Sequence, residues 1–276
     1  MLLIRMMMKQ SIRTLSLYTL FIIFIGVFGA LWLAWRWRPN LAQEKERPTY
    51  PIIGHHPDTL LVAFIGDSWA DLHPSSQPDS MVSADWTAKY GKPVRFVSCG
   101  KGGANSGDVY RLMFRQNLPI DSFSSMPLLQ QRPDYCVISA GGNDARQNVG
   151  KDFYVANYQL IIRHLLRCGI RPVVIGMPDL DLITADGGVS LKIWYKCLWL
   201  DTEPYNVPEY SQTLRKYLQD SKMMDSVIYV GCELWNQNGY HDFSLYQVDR
   251  IHLNTKGYSR LDSCLLSVIM NDVDGK

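Results

Sequence analysis

"LLVAFIGDSWADLHP", residues 60–74, is the stretch whose reading decides the fold. The apolar run 60–65 is short and continuous, as a strand buried on both faces should be. It stops at Gly66-Asp67-Ser68. A strand ending there delivers an acid and a hydroxyl at its carboxyl end, which in a parallel sheet is the end where ligands bind.

Working outward, residues 94–97, 135–139, 173–175 and 227–230 form further short runs with β-branched residues, which suit buried strands. Between or after them come amphipathic stretches at 154–167, 209–218 and 258–270. That alternation predicts a mainly parallel sheet of about five strands with helices on both faces, a three-layer α/β/α sandwich. No internal repeat or low-complexity segment interrupts it. A chain of 276 residues, 47% hydrophobic, can bury one core, and a formal charge of +2 gives no electrostatic reason to expect nucleic acid.

The residues after each strand are therefore the ones to read. They are Gly66-Asp67-Ser68, then "SCGKGGANSG" (98–107), then "AGGND" (140–144). Before the last helical stretch, "VDRIHLNTKGY" (248–258) adds an Asp and a His three residues apart. These are the parts of an acyl-transfer site: Ser68 as nucleophile, His252 as its base, and Asp249 to orient the imidazole. The backbone N–H groups of Ser68 and Gly103 and the Asn143 amide are candidate oxyanion donors. Placing Ser68 at the start of a helix would add that helix's positive end.

The same four segments, in the same order, resemble the SGNH (GDSL-type) hydrolase family. Its GDS block reads here Gly66-Asp67-Ser68, its second glycine Gly103, its GxND block Gly141-Gly142-Asn143-Asp144, and its DxxH block Asp249-Arg250-Ile251-His252. The resemblance covers about residues 59–272. It implies a flavodoxin-like domain that hydrolyses esters without metal or organic cofactor. Gly100 and Gly102 compete with Gly103 for the second block, which rests on spacing from the strand. The G-x-S-x-G elbow of ordinary α/β-hydrolases is missing.

Other residues read more plainly. Asp67 and Asp144, at strand-to-helix turns, are expected to cap helices. His73 lies near enough in sequence to Ser68 to line the cleft, without a catalytic role. His241 is expected to be non-catalytic, and His164 to be a partly exposed helix residue. His55 and His56 read as exposed tether residues. Cys99, Cys136, Cys168, Cys197, Cys232 and Cys264 show no C-x-x-C spacing, hence no zinc or redox motif. In "SLKIWYKCLWLDTEPY" (190–205), Trp194 and Trp199 are candidates for stacking on a sugar ring. Yet Ile193, Trp194, Cys197 and Leu198 also make one helical stripe, and packing is the favoured reading of it.

Residues 15–35 ("LSLYTLFIIFIGVFGALWLAW") are uncharged and long enough to span a bilayer, with Trp32, Trp35 and Trp37 beside Arg36 and Arg38 at the far end. A cleaved signal and a buried core helix are the other readings. Basic residues flank the run on both sides, so orientation is not set by charge; a long downstream domain is exported largely regardless of it. The expected organisation is a short tail (1–13), a transmembrane signal anchor (14–37), a tether (38–58) and an extracytoplasmic catalytic domain (59–276). The expected activity is a serine esterase acting on short O-acyl esters, above all O-acetyl groups of an envelope or extracellular polysaccharide. An O-acetyltransferase, a lipid esterase or lysophospholipase, and a catalytically idle glycan-binding module are the alternatives.

Overall fold

The apolar runs become the strands β1 (Leu60–Gly66), β2 (Val94–Gly100), β3 (Tyr135–Ser139), β4 (Arg171–Ile175) and β5 (Ile228–Val230). All neighbours pair parallel, in the order β2-β1-β3-β4-β5, which is the flavodoxin-like order. The computed structural model describes residues 2–37, 43–54, 58–76, 82–115 and 123–275. His55 and His56 lie outside the described residues.

The helices are α1 (Leu2–Trp37), α2 (Ser68–Asp71), α3 (Val82–Tyr90), α4 (Ser106–Leu112), α5 (Met126–Leu129), α6 (Gly142–Gln147), α7 (Lys151–Arg167), α8 (Leu182–Ala185), α9 (Leu191–Leu200), α10 (Val207–Asp220) and α11 (Thr255–Asp274). Right-handed crossovers decide where they sit. The chain moves one way across the sheet from β1 to β2 and the opposite way from β2 onward, so α3 covers one face while α4, α7 and α10 cover the other. Accordingly α4 packs on α7, and α7 on α10. The last helix, α11, shares the α3 face, because its Tyr258 and the Trp86 of α3 both join a ring cluster around His73 and Phe96.

The core follows from the same pattern. Every residue of β3 is buried, as is β1 from Leu61 onward. On α7, Tyr154, Tyr158, Ile161, Ile162 and Leu165 are buried at helical spacing, each aliphatic side chain contributing roughly 1.5–3 kcal/mol. Pro172 lies within β4 opposite Cys136, but β5 pairs only from Val173. Position 172 therefore lies beyond the β4–β5 pairing, where a residue without an N–H is tolerated.

His164 departs from expectation. It is fully buried, its ring against Tyr50 and Phe114, and burial pushes its pKa down to about 4. The partner that hides it comes from residues 43–54, which run along the domain without regular structure. Glu44 pairs with Arg111, Glu46 with Arg167 at 2.6 Å, and the Arg47 N–H donates to the Tyr110 hydroxyl at 2.9 Å. The Ile53 N–H donates to the Gln130 carbonyl. At the N-terminus α1 is continuous from Leu2, and its part Ser16–Trp37 is long and apolar enough to cross a membrane.

The loops leaving β1 and β3 sit side by side at the point where the strand order reverses. That crevice is where open α/β sheets bind ligands.

Candidate active site

The turn after β1 is built to present Ser68. A side chain at position 66 would collide with Ser139 of β3, so glycine lets the two strand ends meet. Asp67 then caps α2: its carboxylate accepts from the Trp69 N–H at 3.0 Å and from the Ser139 hydroxyl at 3.1 Å. Burial raises the Asp67 carboxyl to about 6, against the pull of those hydrogen bonds. Ser68 is the first residue of α2, half-buried at the strand's end. Because α2 is a single turn, the positive helix end expected at Ser68 is small.

Asp249 and His252 meet within one loop. Asp249 Oδ2 lies 2.6 Å from His252 Nδ1, while its Oδ1 accepts from the backbone N–H groups of Ile251 and His252, each at 3.0 Å. Partial burial works to raise the Asp249 carboxyl, but these donors and the imidazole outweigh it and hold the group below its ordinary value. An ionised carboxylate on Nδ1 fixes the ring and leaves Nε2 to take a proton. The loop is tied down by local contacts. Arg250 takes a left-handed conformation with its guanidinium bound to Asp181 at 3.2 Å. Asn254 caps α11 through the Gly257 N–H and donates to the Tyr246 carbonyl at 2.8 Å.

Two long-range bonds bring this loop to the serine. Trp69 Nε1 donates to the Ile251 carbonyl at 3.0 Å, and the Tyr258 hydroxyl donates to the Trp69 carbonyl at 3.0 Å. Among the described residues Ser68 and His252 share no hydrogen bond. Such bonds commonly tighten only when substrate is bound.

The remaining donors lie across the crevice. Residues 101–104 form a turn closed by the Ala104 N–H on the Lys101 carbonyl, with Gly103 at φ +77° in its third position, where glycine is favoured. Gly100 serves a separate purpose, because a Cβ there would strike the backbone of Asp67 and Asp71. Asn143, in the first turn of α6, donates to the Ala104 carbonyl at 3.1 Å, which joins its amide to the Gly103 turn. Asp144 is fully buried and receives both the Ser106 N–H and the Ser106 hydroxyl, capping α4 rather than its own helix. Burial pushes its carboxyl up to about 7. Gly103 and Asn143 line a cleft of about 610 Å³ together with Arg146, Gln147, Ser190 and Lys196. Of the proposed machinery this cleft is lined by Gly103 and Asn143 alone, Ser68, Asp249 and His252 lying outside its lining; a cleft of about 530 Å³ lined by residues 43–45, Arg47, Asn105 and Arg111 contains none of the five.

Residues 64–260 match the GDSL-like Lipase/Acylhydrolase family. The chain belongs to that family. No curated protein matches it in sequence. Similar solved structures include an acetyl xylan esterase, AlAXEase, at 18% identity and TM-score 0.54, covering 76% of this chain and 99% of that one. The lipase/acylhydrolase from Enterococcus faecalis is 16% identical with TM-score 0.54, covering 77% and 96%. The psychrotrophic esterase EstA from Pseudoalteromonas sp. is 13% identical with TM-score 0.51, covering 78% and 99%. At these identities the likeness is one of fold. With the family match, the chain is an SGNH-type ester hydrolase.

In this acylhydrolase three expected cleft residues sit elsewhere. His73 is fully buried, with Nδ1 on the Ser75 hydroxyl at 2.7 Å and Nε2 on Asp262 at 2.9 Å. It ties the exit of α2 to α11, and it faces the core because Phe64, Phe96 and Tyr258 enclose its ring. Trp194 and Trp199 lie on the outer side of α9 and are absent from the residues lining the cleft. The favoured stripe divides in two: Ile193 and Cys197 are buried, Trp194 and Leu198 exposed. Sequence reading also missed Trp69, Tyr258, Ser106 and Ser139, which hold the four segments in place. Only Trp69 and Ser139 carried a signal, by adjacency to the serine and to a strand end.

Proposed function

We propose that this SGNH hydrolase removes short O-acyl groups, chiefly O-acetyl, from an envelope or extracellular polysaccharide, held at the membrane by α1 with its domain on the extracytoplasmic side. Ser68 Oγ attacks the ester carbonyl while His252 Nε2 takes its proton, and Asp249 stabilises the imidazolium. The oxyanion is received by the N–H groups of Ser68 and Gly103 and by Asn143 Nδ2. His252 returns the proton to the leaving sugar oxygen, which departs as the alcohol. Water, deprotonated by His252, then attacks the acyl-serine, releasing the carboxylic acid and regenerating the serine.

The observation that carries this reading is the 2.6 Å contact between Asp249 and His252 in a loop bonded to the residue after Ser68. The lining of the cleft supports a hydroxyl-rich substrate. Asn143, Arg146, Gln147, Asp186 and Ser190 supply hydrogen-bonding groups, and Ile193 and Tyr205 are its large apolar members.

Mass spectrometry of native glycans treated with wild-type and Ser68→Ala enzyme tests it. Loss of acetyl-sized mass with wild type alone is the expected result. Acetate release by the folded variant would remove Ser68 from the mechanism, and acetyl appearing on added oligosaccharide instead of as free acetate would make the enzyme a transferase.

A further inference from the structure

Helix α9 is apolar on two opposite faces. Ile193 and Cys197 point into the core, whereas Leu191 is 72% exposed, Trp194 51%, Leu198 84% and Trp199 62%. With Tyr195, those four cover an arc of about 140° at 100° per residue. A surface helix ordinarily turns polar groups outward, and a contiguous exposed patch of this kind marks an interaction site. Lys192 and Lys196 sit at one border of the arc and line the cleft that contains Gly103 and Asn143.

What covers the patch is indicated by its neighbour. The Tyr195 hydroxyl donates to the Ala34 carbonyl at 3.1 Å, one of the last carbonyls of α1 and so in need of a donor. Trp199 Nε1 donates to the same hydroxyl at 2.6 Å, and the Trp37 ring packs edge-on against Tyr195. The apolar part of α1, Ser16–Trp37, is about 33 Å long, close to the thickness of a bilayer's hydrocarbon core. Ala34 is then about 4.5 Å from its end, just inside the boundary between hydrocarbon and headgroups. A helix fastened there has its free apolar face at the same depth.

We infer that the outer face of α9 is a lipid-binding surface: Leu191, Trp194, Leu198 and Trp199 enter the headgroup region of the bilayer beside α1, with Lys192 at its edge toward anionic lipid. This rests on reading α1 as a membrane span. One helix then carries the bilayer on its outer side and a wall of the substrate cleft along its lysine edge.

The test uses the full chain in vesicles of phosphatidylcholine and phosphatidylglycerol, with photoreactive p-benzoylphenylalanine placed singly at Leu198, Leu191, Trp35 or Lys89. Each substituted protein is first checked for hydrolysis of p-nitrophenyl acetate. The expected result is lipid adducts from positions 198, 191 and 35 and none from exposed Lys89 on α3. Adducts from position 35 without any from 198 or 191 would overturn the inference while leaving the span intact. Adducts from 198 to a second copy of the chain would overturn it in favour of self-association. Absence of lipid adducts at 35 would instead refute the span, and the inference with it. In the protein labelled at 191, Leu198→Glu should lose the lipid adduct while keeping reporter hydrolysis; an undiminished adduct would count against the inference.

Discussion

The indole nitrogen of Trp69 donates to the carbonyl of Ile251 at 3.0 Å. The residue after the proposed nucleophile is thus bonded to the residue before the proposed base. Segments separated by about two-thirds of the chain are joined by this bond and by that of the Tyr258 hydroxyl to the Trp69 carbonyl, and the indole packs edge-on against Trp235.

Trp69→Phe should therefore keep an aromatic ring in the core and lose the alignment. Turnover on p-nitrophenyl acetate should fall by up to about a hundredfold with KM nearly unchanged, since small misplacements of reacting groups act on kcat. Unfolding free energy should drop by on the order of 2–4 kcal/mol, from the unpaired Ile251 carbonyl and the space left by the smaller ring. Wild-type kcat in the folded variant would show that Trp69 positions nothing.

Asn143→Ala should lower kcat by on the order of a hundred- to a thousandfold, as removal of one oxyanion donor does. A loss below about threefold would mean that Asn143 serves only the Ala104 carbonyl, since a true oxyanion donor is worth far more.

The glycines should separate by what they touch. Gly100→Ala drives a methyl into the backbone of Asp67 and Asp71, and should destabilise the fold by about 1–3 kcal/mol and impair activity. Gly103→Ala meets no atom within 4 Å; its cost is the left-handed backbone, about 1–2 kcal/mol. If Gly103→Ala lowers the unfolding temperature by clearly more than Gly100→Ala, the close packing assigned to Gly100 is wrong.

Asp144 makes stability depend on pH. Its carboxyl is raised to about 7 in the fold, so the native state holds the proton more tightly than the unfolded chain does. Its contribution is complete below about pH 4, the ordinary carboxylate value, and is lost as pH rises through about 7. Urea unfolding of detergent-solubilised wild type and Asp144→Asn should show wild type losing ground to the variant between pH 5 and pH 8, by on the order of a few kcal/mol. A constant difference across that range would mean that Asp144 is ionised throughout.

Acyl-chain length tests the substrate class. Each methylene buried in an acyl channel contributes about 0.8 kcal/mol, so a lipase-like enzyme improves steeply along the p-nitrophenyl ester series. The polar cleft predicts a maximum of kcat/KM at acetyl or propionyl and a fall by octanoyl. A maximum at octanoyl or longer would identify a lipid esterase.

The strands were legible because buried parallel strands are continuous apolar runs, and the Ser68, Asn143 and Asp249–His252 segments because each follows a strand or precedes the last helix. Gly103 stood apart from Gly100 and Gly102 only by its spacing from the strand; the structure adds that Gly103 alone of the three has a positive φ and that Gly100 is closely packed. The Trp69–Ile251 bond was invisible because nothing local encodes a contact between such distant positions. His73 and His164 were misjudged for a shared reason: a histidine that satisfies its polar atoms within the core, or is covered by another segment, leaves the same trace in sequence as an exposed one. On α9 the periodicity was real, but two apolar faces were read as one.

The docking of residues 43–54 onto α4 and α7 sets the enzyme's working radius. A free leash of residues 38–58 would stretch about 75 Å at full extension. With residues from Gln43 onward fastened by Glu44–Arg111 and Glu46–Arg167, the covalent link from α1 is only 38–42, about 20 Å at most, and the Tyr195 bond to Ala34 holds the domain closer still. With α1 anchored as proposed, two chemically identical esters are then not equivalent to this enzyme: one borne in the first layer above the lipid is within range, and one farther out is not, so altitude selects the substrate before the pocket does.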